Sequence, residues 1–174
     1  MSQAPPSFVS LALQGRPPPD WADVVVEPVP LGMRQAPDDP ARWAAEVFAV
    51  GSAPPVVVAL MALRQAVVPV LGVRRAPADV FAVRRVEGDE ALVSHDDTHL
   101  DFRAGVGYDP ASRLLRVTTA VWLKGWRGQV YFAPVSVLHD PVTRSMMRRA
   151  IRRVLGPVPP GGTSAGGGRG TMAG

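Results

Sequence analysis

The sequence predicts one α+β domain in which a curved antiparallel sheet packs against a long C-terminal helix. The run from Trp21 to Val29 is dense in valine and stops at Pro30, as a first strand followed by a turn would. Apolar residues then recur at helical spacing up to residue 69, and from residue 78 to 138 short alternating runs are separated by turn residues. A chain of 174 residues that is 47% hydrophobic can bury a core of its own.

Two short helices are predicted after the first strand. Asp39 supplies a side-chain cap and Pro40 fits a first helical turn, so a helix begins there and ends at Gly51. Its apolar face consists of Trp43, Ala44, Val47 and Phe48. A second helix starts at Pro54-Pro55 and ends before Pro69. Its apolar positions are Val56, Leu60, Leu63 and Val67.

Residues 78 to 138 have the pattern of an antiparallel meander of about five strands. The turns fall at polar or glycine-containing clusters, at residues 87–89, 95–97, 109–112 and 125–128. A second Asp-Pro pair, Asp140-Pro141, predicts the start of the last helix, which continues to about Leu155. Strand, two helices, meander and terminal helix is the order of a helix-grip fold, in which a cavity can open between the sheet and the final helix.

The composition of both ends predicts flexible segments, residues 1–20 and 156–174, around a domain spanning residues 21–155. The sequence contains no cysteine, which excludes disulfide frameworks, thiolate metal sites and cysteine nucleophiles and fits a reducing cytoplasm. No secretory signal pattern is evident, and the longest apolar run, Val56 to Leu63, is far shorter than the about 18 to 20 residues of a membrane span. We therefore expect a cytoplasmic protein without stable membrane insertion.

The net charge of +4 comes almost entirely from arginine, since Lys124 is the only lysine. Guanidinium groups suit phosphate, but no zinc finger, basic zipper or ribonucleoprotein motif accompanies them. A chain rich in Ala, Arg, Pro, Val and Gly is also typical of GC-biased coding, so we expect no nucleic-acid partner. The glycine-rich residues 161–168 lack the flanking strand and helix of a phosphate loop, and no cofactor is expected.

Several short segments resemble the DUF2867 family of domains of unknown function. The most specific is Asp96 to Arg103, which contains the run His-Leu-Asp-Phe-Arg. The others are residues 59–64, 71–74, 117–119 and 128–132. The resemblance implies a fold similar to the Bet v 1 or START-like helix-grip proteins, with residues 128–132 as a strand, and it implies no established activity. The chain departs from the family pattern at Lys124-Gly125, where a His-Asn pair is expected.

The strand that carries this run has two chemically different faces. Because side chains alternate along a strand, His99, Asp101 and Arg103 share one face. The other face consists of Leu100, Phe102, Ala104 and Val106. If Asp101 accepts hydrogen bonds from the other two and all three line a cavity, they are candidate catalytic residues: a base, its orienting carboxylate and an anion-binding arginine. If instead the apolar face meets the terminal helix, they form an ion ladder on the solvated side.

Two further clusters of polar residues invite a ligand. Residues 95–99 hold two histidines and two aspartates, but a turn at Asp96-Asp97 would point the histidines in different directions, so no metal site is expected. The final helix carries an i, i+4 row of arginines, Arg144, Arg148 and Arg152. Such a row is either a solvated face or a site for a phosphate-bearing ligand, a lipid headgroup or an acidic partner.

Two classes of function follow. The first is a binding domain that holds an apolar or amphipathic small molecule between the sheet and the C-terminal helix. The residues expected to line its cavity are Phe102, Val117, Trp122, Phe132, Met146 and Ile151. The alternative is a cofactor-independent cyclase, dehydratase or isomerase that uses His99, Asp101 and Arg103 for proton transfer. The ligand, the oligomeric state and the direction of the polar strand face stay open at this point.

Overall fold

The computed structural model describes residues 9–31, 35–49 and 81–156. Within these ranges the chain forms strands and helices in an α+β arrangement, as the sequence predicts. They are, in order, β1 (Trp21–Pro28), α1 (Pro40–Val47), β2 (Val83–Glu87), β3 (Glu90–Asp96), β4 (Leu100–Asp109), β5 (Leu114–Leu123) and α2 (Gly125–Leu155). The helix predicted at residues 54–69 lies outside the described residues, as does the tail after residue 156.

The strands form one antiparallel sheet in the order β1-β5-β4-β3-β2. Strands β2 to β5 follow one another as a meander, and β1 pairs with β5 at one edge. The register lines up four apolar residues across neighbouring strands, Ala91, Val106, Val117 and Val25. Since side chains alternate along each strand, these residues share the face that meets the helices.

Helix α1 covers the β2 to β4 side of this face and α2 covers β1 and β5. Asp39 Oδ1 accepts a hydrogen bond from the Ala41 amide at 2.9 Å and Pro40 occupies the first turn, which confirms the predicted start of α1. The helix ends at Val47, before the predicted end at Gly51. The buried core between helices and sheet consists of Val25, Val29, Trp43, Ala44, Val47, Ala91, Val93, Ala104, Val106, Tyr108, Leu115, Val117, Met147, Ala150, Ile151, Val154 and Leu155.

Helix α2 begins at Gly125, much earlier than the predicted start at Asp140, and residues 128–132 are helical instead of forming a strand. The chain reverses between β5 and α2, and this reversal explains Gly125 and Gly128, which predict a turn at residues 125–128. Gly125 has φ of +70°, and a Cβ on Gly128 would lie 2.3 Å from the His99 carbonyl oxygen. Asp140 and Pro141 lie inside the helix, where Pro141 is exposed and Asp140 bonds to Arg144 one turn later. The predicted C-terminal end at Leu155 is confirmed.

The second face of the sheet is covered by residues 9–20, part of the segment that composition assigned to flexible chain. Ser10 Oγ and the Leu11 amide donate to the Glu90 carboxylate, at 2.7 and 2.6 Å. Ala12 packs with Ala120 and Trp122 in a small apolar cluster on this face. The start of this segment is therefore held by a buried carboxylate, a contact that composition alone does not predict. No helix in the described ranges is long and apolar enough to cross a membrane.

Candidate functional site

Asp101 is the centre of an ionic cluster on the face covered by residues 9–20. Its side chain is only 7% exposed, yet it accepts from Lys124 Nζ at 2.5 Å and from Arg16 Nη2 at 3.1 Å. The same Arg16 nitrogen also lies 3.0 Å from Asp96 Oδ1, and Lys124 Nζ lies 2.7 Å from the Asp97 carbonyl oxygen. The buried Asp101 carboxylate therefore connects β4 to the N-terminal segment through Arg16 and to the end of β5 through Lys124.

The predicted trio does not assemble around Asp101. His99 precedes β4 and its carbonyl accepts from the Lys124 amide at 2.7 Å, while Arg103 Nη1 donates to the Gln14 carbonyl at 2.8 Å. Across the ranges that the structure describes, no hydrogen bond joins these three side chains, and His99 Nε2 is buried without a partner. The expected pairing is therefore wrong. Same-face residues of one strand are about 6.6 Å apart, whereas Arg16 and Lys124 approach from other elements.

The alternative prediction of a solvated ion ladder is wrong as well, because this face is closed. Trp122 lies here, opposite Asp101 in the register, and not on the helix-facing side with Phe102. Its ring is 5.0 Å from the Arg16 guanidinium and 5.9 Å from that of Arg103, and its Nε1 donates to the Pro17 carbonyl at 3.0 Å. Trp122 is thus a packing residue of the covered face and not a wall of the expected cavity.

A second polar group lies on the helix-facing side, between β1 and α2. His139 Nδ1 is 3.2 Å from Asp23 Oδ2, and His139 Nε2 is 3.4 Å from Thr143 Oγ1. The ring of Trp21 lies edge-on to His139 at 4.7 Å and to Phe132 at 5.1 Å. The arrangement joins a carboxylate, an imidazole and a hydroxyl inside an aromatic surrounding.

The surroundings of His139 favour the neutral form of its imidazole. Burial lowers the pKa of His139 below its usual 6.5, and the hydrogen bond and charge of Asp23 only partly counter this effect. A carboxylate at Nδ1 favours the tautomer with the proton on that nitrogen, so Nε2 is left as an acceptor. At neutral pH, His139 can therefore accept a proton or a hydrogen bond.

The other residues expected to line a cavity lie on or beside the helix-facing side of the sheet. Val117 and Ile151 belong to the buried core, and Phe102 and Met146 are partly buried at its margin. Phe132, on α2, is buried against Trp21. Phe102 is also part of an aromatic group, with the Phe81 ring at 6.1 Å and the His95 ring at 6.5 Å.

Sequence reasoning missed Asp23, His139 and Thr143 as a unit, and it missed Arg16. Asp23 and His139 are 116 residues apart, so no local motif could join them. The helix-facing positions of β1 did offer a signal, because Trp21, Asp23, Val25 and Glu27 alternate apolar and acidic side chains on the buried side. In the part of the chain that the structure describes, no group of three or more histidines or acidic residues is placed to hold a metal ion.

Comparison with known proteins adds one finding. The model of the family described as a protein of unknown function, DUF2867, matches residues 19–146. The chain belongs to the DUF2867 family. Searches of curated proteins and of solved structures gave no match. The match to the DUF2867 model covers every described strand and the whole His139 cluster, and it includes Asp101 and Lys124 of the Asp101 cluster. Arg16 falls outside it.

Proposed function

We propose that this DUF2867 protein binds an apolar or amphipathic small molecule on the helix-facing side of its sheet, between α1 and α2. The observation that carries the proposal is a row across three strands, Phe102, Val121 and Trp21, that leads to the partly buried His139. Small-molecule sites are mostly apolar surfaces with a few placed polar groups. The absence of cysteine favours the cytoplasm as the compartment.

The row of Phe102, Val121 and Trp21 is an apolar surface long enough for a small molecule to lie on. Neighbouring strands are about 4.8 Å apart, so the backbone distance from Phe102 to Trp21 is about 10 Å. Phe102 is only partly buried although it lies on the core face, and the adjoining row is Ala104, Thr119 and Asp23. An apolar body of that length lying on the first row would have polar groups beside it at one end only.

The polar end defines the chemistry of the ligand. His139 Nε2 accepts in the tautomer that Asp23 favours, and the Thr143 hydroxyl is beside it. A ligand hydroxyl that donates to Nε2 replaces the long 3.4 Å contact with Thr143. The ligand class is therefore an apolar molecule with a hydroxyl at one end.

The order of elements supports the same location. A strand, a short helix, an antiparallel meander and a long terminal helix follow one another as in helix-grip proteins of the Bet v 1 and START-like type. In that type of fold, ligands are held between the sheet and the last helix. Membership of the DUF2867 family adds no activity of its own.

The test is a thermal-shift screen against fatty alcohols, sterols and aromatic polyketides, followed by titration of the hits with tryptophan fluorescence as the signal. We expect hits to raise Tm and to change the emission of Trp21. The variant Trp21→Phe removes this change, whereas the matched variant Trp122→Phe, on the opposite face, keeps it. A screen without any stabilising compound, or a signal that depends on Trp122, would refute the proposal.

A proton-transfer enzyme is a second candidate, with His139 in the role that the sequence assigned to His99. The Asp23 contact at Nδ1 is the observation in its favour, because it orients an imidazole whose lowered pKa leaves it neutral. Hits from the screen are incubated with the protein in deuterated water and examined for exchange or isomerisation. His139→Gln should abolish conversion and keep ligand binding within a few-fold; conversion that survives the substitution excludes this role.

A further inference from the structure

A shallow groove of about 340 Å³ follows the second half of α2, on the side away from His139. It is lined by Asp140, Pro141, Arg144, Ser145, Arg148 and Arg152. Its arginines repeat at i, i+4 and therefore project from one face of the helix, where like charges repel by a few tenths of a kcal/mol per pair. The structure offers a reason why two of them are fixed in place.

Glu27 anchors the first two arginines from below. It is 5% exposed, and its two oxygens accept from Arg144 Nη1 at 3.1 Å and from Arg148 Nε at 2.9 Å. Burial raises the pKa of Glu27, but the hydrogen bonds and charges of Arg148 and Arg144 outweigh it, so the pKa lies below its usual value. Glu27 is therefore ionised at neutral pH and orients both guanidinium groups.

The match between strand and helix spacing makes this anchoring possible. On β1, Asp23 and Glu27 are separated by about 13 Å, and on α2 the nine steps from His139 to Arg148 rise by about 13.5 Å. Each acidic side chain of β1 thus meets its own basic partner on α2. Glu27 pairs with the arginines of the groove, whereas Asp23 contacts His139.

Donors remain on the open side of the groove. Within the described ranges Arg148 donates only through Nε, and its side chain is 59% exposed. The Arg152 guanidinium and the Ser145 hydroxyl have no hydrogen bond or ion pair in the ranges that the structure describes. Among the described residues, three arginines of the groove face two carboxylates, Glu27 and Asp140, which leaves one positive charge uncompensated and N–H groups unused.

We propose that this groove binds a phosphate monoester group, held by the guanidinium groups of Arg148 and Arg152 and by the Ser145 hydroxyl. The two arginines are one helical turn apart, about 6 Å along the axis. A tetrahedral phosphate presents three terminal oxygens and two charges and can accept from both forks, which a planar carboxylate does less well. The bearer of the phosphate is either a soluble phosphorylated molecule or a phospholipid headgroup.

Isothermal titration with glycerol 3-phosphate, using the full chain, tests the site. We expect a dissociation constant on the order of 1 mM at low salt. Arg152→Gln should weaken binding about tenfold, and Arg148→Lys, which keeps the charge but loses the fork, should weaken it about as much. The matched control is Arg127→Gln on the same helix, where the guanidinium lies over the Trp126 ring outside the groove. This control should leave binding unchanged.

Two arms distinguish the source of the phosphate. Flotation with vesicles containing phosphatidic acid is compared with flotation with phosphatidylcholine vesicles. Binding of glycerol 3-phosphate with no flotation assigns a soluble ligand, and flotation that Arg152→Gln abolishes assigns a headgroup. If neither probe binds, or if Arg127→Gln weakens binding as much as Arg152→Gln, the proposal is wrong. Because His139 is not part of the groove, His139→Gln leaves this binding intact, which separates it from the proposed apolar site.

Discussion

The backbone amide of Leu11 donates to Glu90 Oε2 at 2.6 Å, across 79 residues of sequence. Glu90 is 2% exposed and also accepts from Ser10 Oγ. The position of this carboxylate requires a glycine at residue 105 of β4, because a Cβ on Gly105 would lie 2.4 Å from Glu90 Oε1. The Glu90 carboxylate thus holds the start of the N-terminal segment, Ser10 and Leu11, on the sheet.

Replacing Glu90 by alanine should therefore release this segment. The Ser10 hydroxyl and the Leu11 amide lose their acceptor in a buried place, at a cost of about 1–3 kcal/mol in the free energy of unfolding. Urea denaturation measures the loss, and limited proteolysis should show new cleavage within residues 9–17. The exposed Glu87, changed to alanine, is the matched control. Equal stability of the Glu90→Ala and Glu87→Ala variants would contradict the role of Glu90.

The second prediction concerns the ion pairs of Asp101 with Lys124 and Arg16. Asp101→Asn removes the charge that Lys124 and Arg16 share, and we expect a loss of about 1–3 kcal/mol, less than for a fully buried pair because Lys124 is 43% exposed. A double-mutant cycle with Lys124→Met isolates the pair by urea denaturation. A coupling energy near zero would show that the 2.5 Å contact contributes nothing to stability.

Much of the fold could be predicted from local pattern. The cap of α1, the turns that link β2 to β5 and the apolar side of β4 each depend on residues close in sequence. Phe102, Ala104 and Val106 do face the helices, because alternation leaves them no other choice once one of them is buried. The C-terminal end of α2 at Leu155 could also be predicted from residues close in sequence.

The start of α2 could not be read in the same way. Asp140-Pro141 has the chemistry of an N-cap, but a long helix can also hold an interior proline at the cost of a backbone hydrogen bond, as α2 does at Pro134 and Pro141. The partners of Asp101 and His139 were hidden for another reason. Arg16, Lys124 and Asp23 reach them through tertiary pairing, and neither charge nor spacing along the chain identifies which cation meets which carboxylate.

Gly128 provides a test of the chain reversal between β5 and α2, where the sequence predicts a turn at residues 125–128. Gly128→Ala forces a Cβ to 2.3 Å from the His99 carbonyl oxygen, so the start of α2 must move away from the turn before β4. We expect a loss of about 1–3 kcal/mol, the usual cost of overpacking. Gln129→Ala, the next residue along the helix and exposed, should be nearly neutral. Thermal unfolding compares the two, and equal Tm values would mean that the close contact is not needed.

The pH dependence of stability should depend on His139. Its folded pKa is below 6.5 because burial disfavours the charged ring. Above pH 6.5 the ring is neutral in both the folded and the unfolded chain, and its contribution to stability is complete. As the pH falls below 6.5, the unfolded chain binds a proton that the folded chain does not, so the free energy of unfolding decreases. His139→Gln should flatten this decrease between pH 6.5 and 5 in urea denaturation, and His95→Gln controls for the loss of an imidazole elsewhere. An unchanged slope in His139→Gln would show that the partly buried contact with Asp23 does not set the acid sensitivity.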